Sequence, residues 1–169
     1  LALLALSLLH ARLDWSRWWP VKSIVPPAGL LCLLGAQWQA VMPLTAEVWR
    51  WFAGMFVLAA ATIAVQDLRD VEGDAASGRR TLPMVFGNRR ARRGLALAFL
   101  LVPAAEVALM RLDETTRWET VACYAATALL CLVLAWRVLH RGGWAEDHRT
   151  YRYWEYWYAA MAVGMGFCV

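Results

Sequence analysis

Charge is what this chain has least of. Only 18% of its 169 residues are charged, and they are clumped, which excludes a globule with a solvated face on every helix. Cysteine is sparse: Cys32, Cys123, Cys131 and Cys168 all fall in apolar runs at spacings that match no zinc pattern. They read as small buried hydrophobes in helices. Histidine is sparser still, and His10, His140 and His148 lie far apart in or beside loops, as solvated side chains rather than ligands. Internal repeats and low-complexity linkers are absent, so a single helical domain over residues 1–169 is the simplest organisation. The opening Leu1–Leu9 stretch has no basic leading region and no small-residue cleavage site, so it is not read as a signal peptide. It resembles the tail of a helix, and the chain is expected to be a fragment.

Apolar residues fill the space that charge leaves. They make up 61% of the chain, with a mean hydropathy of +0.44. A bilayer crossing needs about 20 predominantly apolar residues. Ser23–Val41, Val48–Gln66, Gly94–Met110, Glu119–Leu139 and Tyr153–Val169 qualify or nearly do, and Leu1–His10 makes an incomplete sixth. The predicted fold is therefore all-α, an integral membrane helical bundle of about five full transmembrane helices plus a partial one.

Charge placement gives an independent test, because cytoplasmic loops carry an excess of Lys and Arg. With loops alternating sides, one side collects fourteen basic residues and the other only Arg50, Arg111 and Arg117. That asymmetry puts the loop after Gln66 on the cytoplasmic side. Trp15, Trp18, Trp19, Trp49, Trp51, Trp118, Trp144, Trp154 and Trp157 fall near predicted span ends, with Trp38 and Trp136 close by, and read as interfacial anchors. Pro26 and Pro27 are expected in the first turns of their span, and Pro103 is expected to kink its helix. The net charge of +4 would suit nucleic acid in a soluble protein. With the arginines in loops between apolar runs, anionic lipid headgroups and an anionic substrate are the better partners, and no nucleic acid is expected.

The chemistry-bearing stretch is Gln66-Asp67-Leu68-Arg69-Asp70-Val71-Glu72-Gly73-Asp74, followed by Ala75-Ala76-Ser77-Gly78-Arg79-Arg80-Thr81-Leu82-Pro83. Asp67, Asp70 and Asp74 stand at i, i+3 and i+7, positions that share one face of a continuing helix. Three carboxylates so close repel one another unless something positive sits among them. Mg²⁺ suits that role, since it takes carboxylate oxygens and shares its remaining positions with substrate phosphates. Arg79 and Arg80 could hold phosphate oxygens. A solvated loop whose acids balance nearby arginines is the competing reading, and spacing alone does not separate the two. Arg89, Arg90, Arg92 and Arg93 are expected to be topology determinants and lipid contacts only.

Gln66–Pro83 resembles the second aspartate-rich motif of the UbiA-type membrane prenyltransferase superfamily, D-x-x-D-x-x-x-D continuing into G-R/K-x-T-x-P. Asp67, Asp70 and Asp74 fill its three aspartate positions, and Gly78-Arg79-Arg80-Thr81-Leu82-Pro83 matches as it stands. Ala75 departs from it where many relatives carry a basic residue. Trp18-Trp19-Pro20-Val21-Lys22 is similar to the basic loop before the family's fifth helix, which adds Lys22 as a diphosphate ligand. Thr150-Tyr151-Arg152-Tyr153-Trp154 is similar to the start of the last helix in fungal-type members. The resemblance implies the C-terminal portion of a nine-helix fold, without the first three helices. The family's first motif, N-D-x-x-D-x-x-x-D, has no counterpart here: Asn88 is the only asparagine, and Asp14, Asp113 and Asp147 are isolated.

What the resemblance implies is transfer of a prenyl group from an allylic prenyl diphosphate to a lipophilic or aromatic acceptor, with Mg²⁺ as cofactor. Asp67, Asp70 and Asp74 would be the catalytic metal ligands; Arg79, Arg80 and Lys22 would bind the diphosphate. The alternative is a UbiA-type terpene cyclase, in which the allylic cation closes on itself. A second alternative is a truncated, non-catalytic membrane paralogue, and the chain by itself is not expected to turn over.

Overall fold

The computed structural model describes residues 18–110 and 117–166, and every described element is helical apart from one isolated bridge between Trp18 and Arg80. Helix α1 spans Trp19–Gln39 and α2 spans Ala46–Thr62. A tighter 3₁₀ stretch, Ile63–Leu68, continues α2. Two short helices follow, α3 at Val71–Ala76 and α4 at Leu82–Phe86. Three long ones complete the order: α5 at Asn88–Met110, α6 at Trp118–His140 and α7 at Trp144–Gly166.

Among the described residues, three helices are long and apolar enough to cross a membrane, where five full spans were expected: α1, α2 with its 3₁₀ extension to Leu68, and α6. Helices α5 and α7 are as long as α6 but begin earlier than hydropathy suggests, and so take in charged first turns. The Gly94–Met110 and Tyr153–Val169 segments are thus the apolar parts of longer helices. Leu1–His10 and Cys168 lie outside the described residues. So do Trp15 and the end of the last predicted segment.

The core forms where α2, α5, α6 and α7 meet. Phe52, Met55 and Leu58 of α2 pack with Leu95 and Phe99 of α5, Leu134 and Val138 of α6, and Trp154 and Trp157 of α7. Helix α1 lies at the edge, touching α2 through Gly35, where an added Cβ would stand 3.8 Å from the Phe52 ring. Tryptophan divides in a way that hydropathy does not foresee. Trp18, Trp49, Trp118, Trp136 and Trp144 are exposed, but Trp51, Trp154 and Trp157 are core residues. The indoles of Trp154 and Trp157 are satisfied inside the bundle, donating to Thr62 Oγ1 at 2.9 Å and to Glu106 Oε1 at 3.1 Å. The interfacial reading fails for Trp154 and Trp157 because α7 starts well before the expected end, and for Trp51 because its face of α2 turns to the core.

Proline shows the same offset. Helix α1 starts at Trp19, so Pro20 takes the N-terminal position while Pro26 and Pro27 sit two turns inside. Lacking N–H groups, they leave the carbonyls of Lys22 and Ser23 without their usual helical partners.

Candidate functional site

The motif departs from a continuing helix at Thr62. Its hydroxyl donates back to Leu58 O at 2.8 Å while accepting from Trp154, and the chain tightens into the 3₁₀ stretch immediately afterwards. Back-bonding Thr side chains bend helices, and 3₁₀ stretches inside helical runs often mark functional sites. The chain then turns at Arg69 and Asp70 and restarts as α3. The expected single face of three aspartates is therefore not formed. Asp67 and Asp74 are buried together, at 1% and 2% exposure, whereas the Asp70 side chain stands at the rim.

Lys22, the only lysine of the sequence, joins the buried pair. Its Nζ lies 2.8 Å from Asp67 Oδ1 and 2.8 Å from Asp74 Oδ2. A backbone contact and helix geometry put it there. Trp19 N donates to Arg80 O at 3.0 Å, which fastens the start of α1 beside the loop after α3, and Lys22 follows within the first turn. The other oxygen of Asp74 accepts from Arg79 Nη1 at 3.1 Å. Gly78 makes that return possible: its φ of +68° lies in the left-handed region, and Arg79 N then reaches Asp74 O at 2.9 Å. Asp70 Oδ1 accepts from Arg69 Nε at 3.0 Å.

The charges balance, with two carboxylates against Lys22 and Arg79 and a third against Arg69. The positive charge that the sequence demands among its aspartates is thus supplied by side chains. Among the described residues, no three His, Cys, Asp or Glu side chains converge closely enough to hold a metal ion between them. The donors nevertheless have the chemistry of a hard-cation site, being carboxylate oxygens only. Asp67 Oδ1 is buried, and the Lys22 ammonium 2.8 Å away is the cation beside it. Mg²⁺ is ordinarily held by one or two carboxylates together with phosphate oxygens and water, so this set fits it.

A cleft of about 630 Å³ opens beside the pair. Asp70, Glu72, Asp74, Arg69 and Arg79 line one wall, and Asn88, Arg92, Trp144 and Asp147 line the other. Arg92 and Asp147 were missed by the sequence reading, which treated one as a topology determinant and the other as isolated. Arg92 Nη2 meets Asp147 Oδ2 at 2.6 Å, and its Nη1 donates to Val138 O and Arg141 O, capping the last carbonyls of α6. The pair is 55 residues apart in sequence, so no local pattern could have shown it. A single arginine within a cluster of four carries no signal of its own.

Lys22 and Asp67 reach the cleft only through Asp74 and do not line it themselves, and the remaining expected ligand stands elsewhere. Arg80 lies outside the cleft, exposed beside Trp18, Trp19 and Val85. Arg69 links the motif to α7 instead, with Nη1 3.2 Å from His148 Nδ1 and the guanidinium 4.3 Å from the Tyr151 ring centroid.

Fold and site together define an all-helical protein with apolar spans and a charge-lined cleft at their polar end. The chain belongs to the UbiA prenyltransferase family, which it matches over residues 1–164. It is 38% identical to the Somaliensene A/B synthase of Streptomyces somaliensis over 95% of this chain and 54% of that protein. Against two proteins of Hericium erinaceus it is 36% identical: the diterpene cyclase eriG, over 82% of this chain and 43% of the relative, and the polyprenyl transferase eriF, over 83% and 46%. The chain spans about half the length of these curated relatives. No solved structure matches it significantly.

Proposed function

We propose that this chain forms the diphosphate-releasing half of a membrane enzyme acting on a prenyl diphosphate. The observation that carries the reading is the buried Lys22–Asp67–Asp74–Arg79 network opening onto a cleft at the end of apolar helices. A lipophilic diphosphate suits that placement, with its head in the cleft and its hydrocarbon tail among the helices. Lys22 and Arg79 are fixed cations that can stabilise charge developing on the departing diphosphate. Asp67 and Asp74, with Asp70 at the rim, would hold Mg²⁺, which when bound supplies further charge neutralisation for the leaving group. Arg92 and Asp147 set the far wall and keep α5, α6 and α7 in register around it. Arg80, outside the cleft, is not needed for this reading. The excess of basic residues in the same set of loops supports a site that faces the cytoplasm.

Transfer of the allylic group to a lipophilic or aromatic acceptor is one fate of the resulting cation, in keeping with the name of the polyprenyl transferase relative. Cyclisation is the second reading, favoured by the match to a protein named as a Somaliensene A/B synthase, which extends over 95% of this chain. Product analysis of the intact protein separates them. With a prenyl diphosphate and Mg²⁺ alone, a cyclised hydrocarbon supports the cyclase. Product that forms only after a phenolic or quinone-precursor acceptor is added supports the transferase. Absence of diphosphate release under both conditions would reject the common step.

A further inference from the structure

Arg80 is the motif cation that the cleft does not use, and its surroundings point to a different ligand. No hydrogen bond, ion pair or ring contact engages its guanidinium among the described residues, whereas Arg69, Arg79 and Arg92 are all paired. It borders a separate groove of about 210 Å³ formed with Trp18, Trp19 and Val85. Next to the groove, α4 turns Pro83 inward and leaves Met84, Val85 and Phe86 exposed, with Trp18 at 66% exposure beside them. Trp19 braces this platform edge-to-face against Phe86, with ring centroids 5.7 Å apart. A short helix that presents three consecutive apolar side chains outward is ill suited to water.

The level of this patch is set by backbone. The Trp19 N to Arg80 O bond ties it to the first residue of α1, and the 3₁₀ end of α2 lies close by, so it stands where two apolar spans give way to polar chain. At that depth an acyl chain meets its headgroup. Indole rings suit such an interface, and an arginine suits a phosphodiester.

We propose that Arg80, Trp18, Trp19 and the outward face of α4 form a binding seat for an anionic phospholipid, with the guanidinium on the lipid phosphate and the aromatic and aliphatic side chains along the upper acyl chain. The seat is separate from the cleft and does not depend on the reaction assigned to it.

The test is native mass spectrometry of the delipidated intact protein titrated with phosphatidylglycerol, phosphatidylcholine and inorganic pyrophosphate. Arg80→Ala should weaken the tightest phosphatidylglycerol site roughly fivefold, the scale of one basic residue's attraction to an anionic leaflet. Phosphatidylcholine, whose phosphate is offset by its own choline, should lose less, and pyrophosphate binding should stay as in the parent. Trp18→Ala should weaken both lipids, since it removes apolar contact rather than charge. Arg90→Ala is the control for general surface charge and should change none of these affinities. An equal loss in Arg90→Ala and Arg80→Ala would overturn the proposal, because the effect would then be unlocalised electrostatics. So would weakened pyrophosphate binding in Arg80→Ala, which would return the residue to the substrate, or no change in lipid binding, which would show the groove covered by another part of the protein.

Discussion

Lys22 Nζ stands 2.8 Å from Asp67 Oδ1 and 2.8 Å from Asp74 Oδ2, an ammonium shared by two carboxylates that are almost wholly buried. The three side chains come from the start of α1, the 3₁₀ end of α2 and the middle of α3. Buried charges persist only when paired, and removing one partner of such a pair costs about 3–5 kcal/mol. Lys22→Met should therefore lower the thermal stability of the metal-free protein sharply. Added Mg²⁺ should restore part of that loss and should stabilise the parent much less, because the parent's carboxylates already have a cation. A melting curve for Lys22→Met that matches the parent in chelator would count against the pairing.

The aspartates differ in burial, so their substitutions should differ in kind. Asp74→Ala removes the common acceptor of Lys22 and Arg79 and should impair both folding and diphosphate release. Asp70→Ala removes a rim carboxylate paired, among the described residues, with its neighbour Arg69 and should leave the melting temperature near that of the parent. Its Mg²⁺-dependent turnover should still fall by about a hundredfold or more, the usual cost of losing a group that stabilises developing charge. Parent-like activity in Asp70→Ala, assayed in the intact protein, would remove Asp70 from the site.

Arg92 and Arg90 are two residues apart and should behave oppositely. Arg92→Ala strips Asp147 of its partner and frees two carbonyls at the end of α6, for a loss of about 3–5 kcal/mol. Arg90 is exposed and has no described partner, so Arg90→Ala should leave both melting and turnover unchanged. Similar melting curves for the two variants would show that the α5–α6–α7 junction does not rest on Arg92.

Glu106 lies inside the bundle at 1% exposure, accepting from Trp157 Nε1 and, at 2.8 Å, from Thr127 Oγ1. It bonds α5 to α6 and α7 at once. Glu106→Gln keeps the acceptor oxygen for Trp157 and can donate to Thr127, so it should fold like the parent. Glu106→Ala leaves the Trp157 N–H unsatisfied and should cost about 1–3 kcal/mol. Equal stability of Gln and Ala variants in a denaturation series would show that these bonds do not hold the helices together.

The aspartate-rich motif was legible because its residues are local in sequence, and so was Lys22, through the Trp-Trp-Pro-Val-Lys run that precedes it. Arg92 was not legible, since its meaning comes from Asp147 and from carbonyls on another helix. The segment was read as a continuing helix because propensity has no term for the Thr62–Trp154 bond, which joins residues 92 positions apart.

Sequence by itself determined the helical class, the apolar runs and which short segment holds the acidic and basic side chains, because hydropathy and motif spacing are properties of neighbouring residues. Tertiary structure alone decided which of those charges are buried together. Asp67 and Asp74 were drawn in by Lys22 and Asp70 was left at the rim, because burying a carboxylate is tolerable only where a cation from another element reaches it. The same rule drew Arg92 to Asp147 and left Arg80 outside the cleft.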